Sequence, residues 1–170
     1  MNETLHHWNC LAYEEAVREI MSCCGSKNWA ESLVSQRPLR DEPSVLAAAD
    51  VTWQSLNAED WLEAFRCHPR IGESRSEQND SARSAAWSAQ EQEKAASANG
   101  DVKLALARGN QDYEKKFGHI FIVCATGKPA SEILGILRRR MQNDAATELR
   151  QAAEEQRQIM HIRLKKWLKE

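Results

Sequence analysis

The chain has 170 residues, a formal net charge of −2 and 42% hydrophobic residues, enough for one domain with a real core. That charge gives no overall pull toward nucleic acid or anionic membranes, and no apolar run approaches the roughly 20 residues of a spanning helix. Five cysteines at 10, 23, 24, 67 and 124, without a Cys-x-x-Cys, suggest reduced thiols in a cytosol.

The opening MNETLHHWNC lacks the basic-then-apolar order of a secretory signal, and the closing LKE is not a peroxisomal address. Leu11 to Cys24 carries a helical stripe at 13, 16, 17, 20, 21 and 24, ended by Gly25. WAESLVSQRP predicts a short second element stopped by Pro38, and Pro43 to Ala49 a third with proline in its first turn. Asn57 can cap a helix whose apolar residues Trp61, Leu62, Ala64 and Phe65 run into FRCHPRIGES, residues 65–74.

From about Ser81 to Ala98 the chain is rich in Ala, Gln and Glu, a good helix former that Asn99-Gly100 ends. Asp101 to Phe117 predicts another helix, stopped at Gly118. Phe121 to Cys124 then forms an apolar run with β propensity but no second strand to pair it. It is expected to be an extended buried connector, whose peptide groups must find other partners. Ser131 would cap a helix through Asn143, and Asp144 to Lys169 a long last one. The fold expected is all-α, a single-domain bundle of about eight helices covering 1–170.

Three groups of residues suggest chemistry. Pro69 restrains the backbone of the preceding His68, so the imidazole stands on a held, extended residue. Such a ring can give or take a proton near neutral pH, although a His-Pro pair also simply ends a helix. Ser88, Glu91 and Gln92 lie at i, i+3 and i+4 of a predicted helix and share one face. A polar heterocycle would meet donors and acceptors there; Ser-x-x-Glu is equally a capping box. SRSEQ at 74–78, with Glu77, repeats the spacing, and Trp87 beside the second copy favours 88–92. On the last helix Arg163 falls on the inward stripe with Leu149, Ala152, Ala153, Gln156, Ile159, Met160, Leu164 and Trp167. An inward guanidinium wants an anion, from the protein or from a substrate.

Other candidates carry less. His6, His7 and His161 lack ligand-spaced companions, so no metal site is expected. His119 reads as a core or pocket-edge residue, and Cys67 and Cys124 as packing residues. Arg138, Arg139 and Arg140 spread around a helix, which suits a solvated face with an intramolecular ion pair better than nucleic acid.

In order along the chain stand HPRIGE, a SxxEQ about twenty residues later, NQDYEKKFGHIFIVCATGKPASEIL, RRRMQND and ELRQAAEEQRQIMHIRL. Together, from about residue 10 to 168, they resemble the 2-oxo-4-hydroxy-4-carboxy-5-ureidoimidazoline (OHCU) decarboxylase family of urate catabolism. The resemblance implies an all-α fold, commonly a homodimer, and decarboxylation of OHCU to (S)-allantoin without metal, pyridoxal or thiamine. It implies His68 as catalytic residue, with Glu91 a second catalytic candidate, and Pro69 lining the pocket. It further implies Ser88 and Gln92 as substrate-binding side chains, and settles the decoy against Glu77. Phe121, Ile122, Val123 and Cys124 would contact the substrate ring through their main chain, and Arg163 would face substrate. The polar stretch SRSEQNDSARSAA is slightly long for the pattern. The readings that compete with this one are a non-catalytic helical scaffold, with His68 only a helix stop, and a helical DNA-binding regulator, against which the net charge counts.

Overall fold

Every regular element in the computed structural model is an α-helix, ten among the described residues, which are 2–72 and 82–170. The predicted class therefore holds, with ten helices where the pattern suggested about eight. The SRSEQ copy containing Glu77 lies outside the described residues. The chain divides into two compact units, residues 1–64 with 157–170, and residues 65–156.

The first unit holds α1 (Glu3–Cys10), α2 (Tyr13–Ile20), α3 (Lys27–Val34), α4 (Glu42–Ser55), most of α5 (Ala58–Arg66) and the end of α10 (Ala145–Trp167). The sequence reading missed α1, whose signal is small: Asn2 accepts from the Leu5 N–H at 2.8 Å. The third element opens on a reciprocal capping box closed by Asp41 and Ser44 and runs well beyond Ala49, to Ser55. Asn57 caps α5 as expected, accepting from the Glu59 and Asp60 N–H groups. Trp8, Trp29 and Trp167 are fully buried here, and each indole N–H finds an oxygen: Ala16, Ala49 and Glu19 respectively. Arg37 reaches the carbonyls of Trp8, Leu11 and Val34, satisfying the C-terminal ends of α1 and α3.

The second unit holds α6 (Ala82–Glu91), α7 (Glu93–Ala96), α8 (Gly100–Phe117), α9 (Ala130–Arg140) and the first half of α10. The single helix anticipated up to Ala98 is broken at Gln92, whose φ of −98° and ψ of 5° interrupt it. Asn99 caps α8 through the Val102 N–H, and Gly118 ends it with φ +77°, a left-handed conformation that favours glycine. Ser131 is not the cap of α9; Pro129 holds that position without a side-chain bond, and the helix stops at Arg140 rather than Asn143. Lys116 on α8 takes the Met141 and Asn143 carbonyls left open there. The core joins Leu106 and Tyr113 of α8 to Ile133, Leu134 and Leu137 of α9, with Ile71, Phe121 and Val123 packed among them. Residues 119–125 form neither helix nor strand, and Phe121 to Ala125 are buried, so the connector is a buried break between α8 and α9 as predicted.

Candidate active site

Beyond Pro69 the histidine loop is held at three consecutive residues, Arg70, Ile71 and Gly72. Cys67, His68 and Pro69 are half-buried, and the His68 N–H closes on the Phe65 carbonyl at 3.1 Å. Arg70 forks onto the Glu114 carboxylate at 2.5 and 2.9 Å. Ile71 is buried, and its carbonyl accepts from buried Asn110 at 3.1 Å. Gly72 adopts φ +86°, and its N–H donates to Gln92 Oε1 at 3.0 Å. Asn110 and Glu114 are one turn apart on α8, so one helix face grips two of these residues. A loop held in this way fixes the backbone position from which His68 projects.

Ser88 and Glu91 are both buried, with Trp87 beside them, so the face proposed from spacing points inward rather than to solvent. Gln92 is part of that face, and its oxygen is already engaged in fixing Gly72. That bond ties the end of α6 to the histidine loop. Glu91 also lies close enough to Cys124 for its charge to act on the thiol. Burial, with lesser contributions from Glu155 and Glu91, pushes the Cys124 thiol above its usual range and keeps it protonated, against a nucleophilic role.

The connector is fastened at two points. Arg140 donates to the Ile122 carbonyl at 2.7 Å and to Glu148 at 2.8 and 2.5 Å, and its guanidinium lies 4.7 Å over the Phe121 ring. Glu148 is fully buried and also accepts from Tyr113 and Asn143. Burial first, then the bond to Glu148, raises the Tyr113 hydroxyl so that it stays a donor. At the other point the Cys124 N–H donates to Glu155 at 2.8 Å, and Lys128 donates to the Cys124 carbonyl at 2.7 Å. The main chain of Cys124 is thus occupied. Among the described residues, the N–H groups of Phe121, Ile122 and Val123 have no protein partner. Phe121, Ile122 and Val123, unlike Cys124, keep N–H groups that the connector can offer a ring.

His119 packs against Phe65, Tyr113 and Phe117, and burial lowers its pKa, so the ring is neutral and structural. Arg138 and Arg139 are exposed while Arg140 is buried, so the expected intramolecular ion pair exists but stands inside the unit. Arg163 belongs to the first unit; it is buried at 2% exposure and donates to the Ser22 carbonyl at 3.4 Å. Sequence reasoning did not find Asn110, Glu114, Lys128, Arg140, Glu148 or Glu155 as supports. Their only early signal was one-turn spacing or a charge on an inward stripe.

Residues 9–165 match the family model described as OHCU decarboxylase. The chain is 38% identical over 159 residues to the "Uric acid degradation bifunctional protein TTL" of Arabidopsis thaliana, covering 92% of this chain and 48% of that protein. It thus spans about half the length of that curated relative. It is 27% identical over 135 residues to the 2-oxo-4-hydroxy-4-carboxy-5-ureidoimidazoline decarboxylase of Haloferax volcanii, covering 79% of this chain and 77% of that one. A crystal structure of OHCU decarboxylase in the presence of (S)-allantoin superposes with a TM-score of 0.77 at 34% identity, covering 89% of this chain and 98% of that one. With a family match over nearly its whole length, the chain belongs to the OHCU decarboxylase family.

Proposed function

We propose that the protein decarboxylates OHCU to (S)-allantoin and CO2 without a cofactor, acting on the product of urate oxidation and ring opening. The observation that carries this reading is the anchoring of the histidine loop at His68, Arg70, Ile71 and Gly72, with α6 tied to it through Gln92. The reaction needs little more than a held ring and placed protons. The bond from ring carbon to carboxylate breaks, its electron pair forms a ring double bond, and the neighbouring C=N nitrogen takes a proton. The resulting enol then loses its hydroxyl proton, and a proton added to the ureido-bearing carbon fixes the stereocentre. The C=N bond is the electron sink, so the chemistry itself asks for no metal or pyridoxal.

In this reading His68 is the proton donor, working with Glu91, and proton transfer by a placed group contributes typically ~10²–10⁴-fold. Pro69 lines the pocket. Ser88 and the amide nitrogen of Gln92 bind polar edges of the substrate. The N–H groups of Phe121, Ile122 and Val123 bind its ring oxygens, and the side chain of Cys124 packs against it. Arg163, a guanidinium that is always charged, meets an anionic oxygen. In this reading 1–170 is a single catalytic domain, which a family match over residues 9–165 supports, and the protein is a cytosolic homodimer whose mass light scattering would report. Among the described residues no helix is long and apolar enough to cross a membrane.

The test generates OHCU in the cuvette from urate and follows CO2 release together with the enantiomeric composition of allantoin. Rapid formation of the (S) enantiomer in proportion to enzyme supports the reading. Racemic product at the spontaneous rate from folded protein would contradict it.

A further inference from the structure

Gln156 on α10 is the one side chain among the described residues whose amide nitrogen and oxygen are both buried without a hydrogen-bond partner. It is fully buried, with 0% exposure. An amide sealed from water without partners destabilises a fold, and native interiors leave few such groups. The neighbouring residues on its face supply none: Ala152, Ala153, Ile159 and Met160 are buried and carry no polar side chain.

Its place along the helix gives the vacant amide a meaning. Glu155, one residue earlier, is the α10 side chain that takes the Cys124 N–H. Residue 156 stands only about 100° round the axis and about 1.5 Å along it from Glu155. Just before Cys124, the N–H groups of Phe121 to Val123 also lack protein partners among the described residues. Polar groups without partners therefore occur on the connector and on α10, beside the one hydrogen bond that joins the two. A carboxamide offers one acceptor and a pair of donors side by side, the complement of a ureido group or a lactam edge, each of which pairs a carbonyl with an N–H.

We infer that Gln156 is a substrate-binding residue whose amide pairs with the ureido or lactam edge of the ligand. The ligand class rests on the decarboxylase reading above; the vacancy of the amide does not.

Gln156→Met keeps the length and apolar bulk and removes both hydrogen-bonding groups. If the amide serves the ligand, the ligand-free variant melts at or above the wild-type temperature, since no protein partner is lost. Its KM for freshly generated OHCU rises about tenfold with kcat little changed, as loss of two neutral hydrogen bonds to bound ligand implies. Calorimetric affinity for (S)-allantoin weakens by the same factor. A variant with wild-type KM and wild-type affinity for (S)-allantoin would overturn the inference. So would a variant that fails to fold, because the amide would then be serving the protein itself. Wild-type enzyme that does not turn over OHCU would instead remove the decarboxylase reading, and this inference about its ligand with it.

Discussion

Two ionic clusters divide the molecule instructively. In the first unit Asp50 accepts from His161 at 2.7 Å and from Arg157 at 3.2 Å, with the three side chains between 24 and 27% exposed. In the second, Arg140 and Glu148 pair at 7 and 0% exposure, with Tyr113 and Asn143 closing the remaining positions on the carboxylate. The first sits in partial contact with water and ties α4 to α10. The second is sealed, and its spare donor holds the Ile122 carbonyl of the connector. A buried pair is a poor source of net stability compared with apolar packing, so its presence calls for another reason. That reason is register: the network sets which peptide groups of the connector remain open.

The largest effect should come from breaking the sealed cluster. Glu148→Ala leaves Arg140 charged and buried without its acceptor, and urea unfolding should report a loss of about 3–5 kcal/mol. Replacing both partners, as Arg140→Met with Glu148→Leu, should recover much of that stability yet leave the connector carbonyl unheld. Turnover of OHCU should then stay low in a folded protein, which separates positioning from stability. If the double variant is fully active, the register argument fails.

Next in size is the grip of α8 on the histidine loop. Arg70 and Glu114 are 45 and 28% exposed, so Glu114→Ala should change stability by no more than ~1 kcal/mol. A small misplacement of a catalytic group costs rate disproportionately, and kcat/KM should fall about tenfold or more. Equal losses in both measurements would reduce the Arg70–Glu114 pair to a surface contact.

A smaller effect should follow pH. Burial holds the His119 pKa below its unfolded value of about 6.5. Between those two values the unfolded chain binds a proton that the folded chain does not. The stability of neutral His119 is therefore complete above pH ~6.5 and is lost progressively as pH falls toward the folded value. Denaturation midpoints of wild type and His119→Phe should converge above neutrality and separate in acid, with the phenylalanine variant the less acid-sensitive. Smallest of all should be Asp50→Asn, which weakens the half-exposed cluster by ~0.2–1 kcal/mol on thermal melting and leaves turnover in place.

The helices were legible because their signals are local: Asn57 as a cap, Asn99-Gly100 and Gly118 as stops, and the inward stripes of α2 and α10. The connector was legible from what it lacked, an apolar run with β propensity and no partner strand. Boundaries failed where a side chain from elsewhere decides, as at the end of α9, where Lys116 takes the open carbonyls. The first helix failed because a single Asn cap on an eight-residue segment is a weak signal. Within the candidate site, His68, Ser88, Glu91 and Arg163 stood out by residue type and spacing. Their supports did not. Glu155 meeting Cys124 and Asn110 meeting Ile71 are pairings 31 and 39 residues apart, which only the folded chain discloses. Gln156 looked like one more position on an apolar stripe until its vacant amide became visible.

The most direct measurement follows circular dichroism after wild-type protein or His68→Ala is added to OHCU made in the cuvette from urate. The account predicts a rapid (S)-allantoin signal from the wild type, and a rate lower by about 10²–10⁴-fold in a variant with unchanged helical content. A His68→Ala variant that makes (S)-allantoin at the wild-type rate would contradict it, and the loop at 65–72 would be no more than the end of a helix.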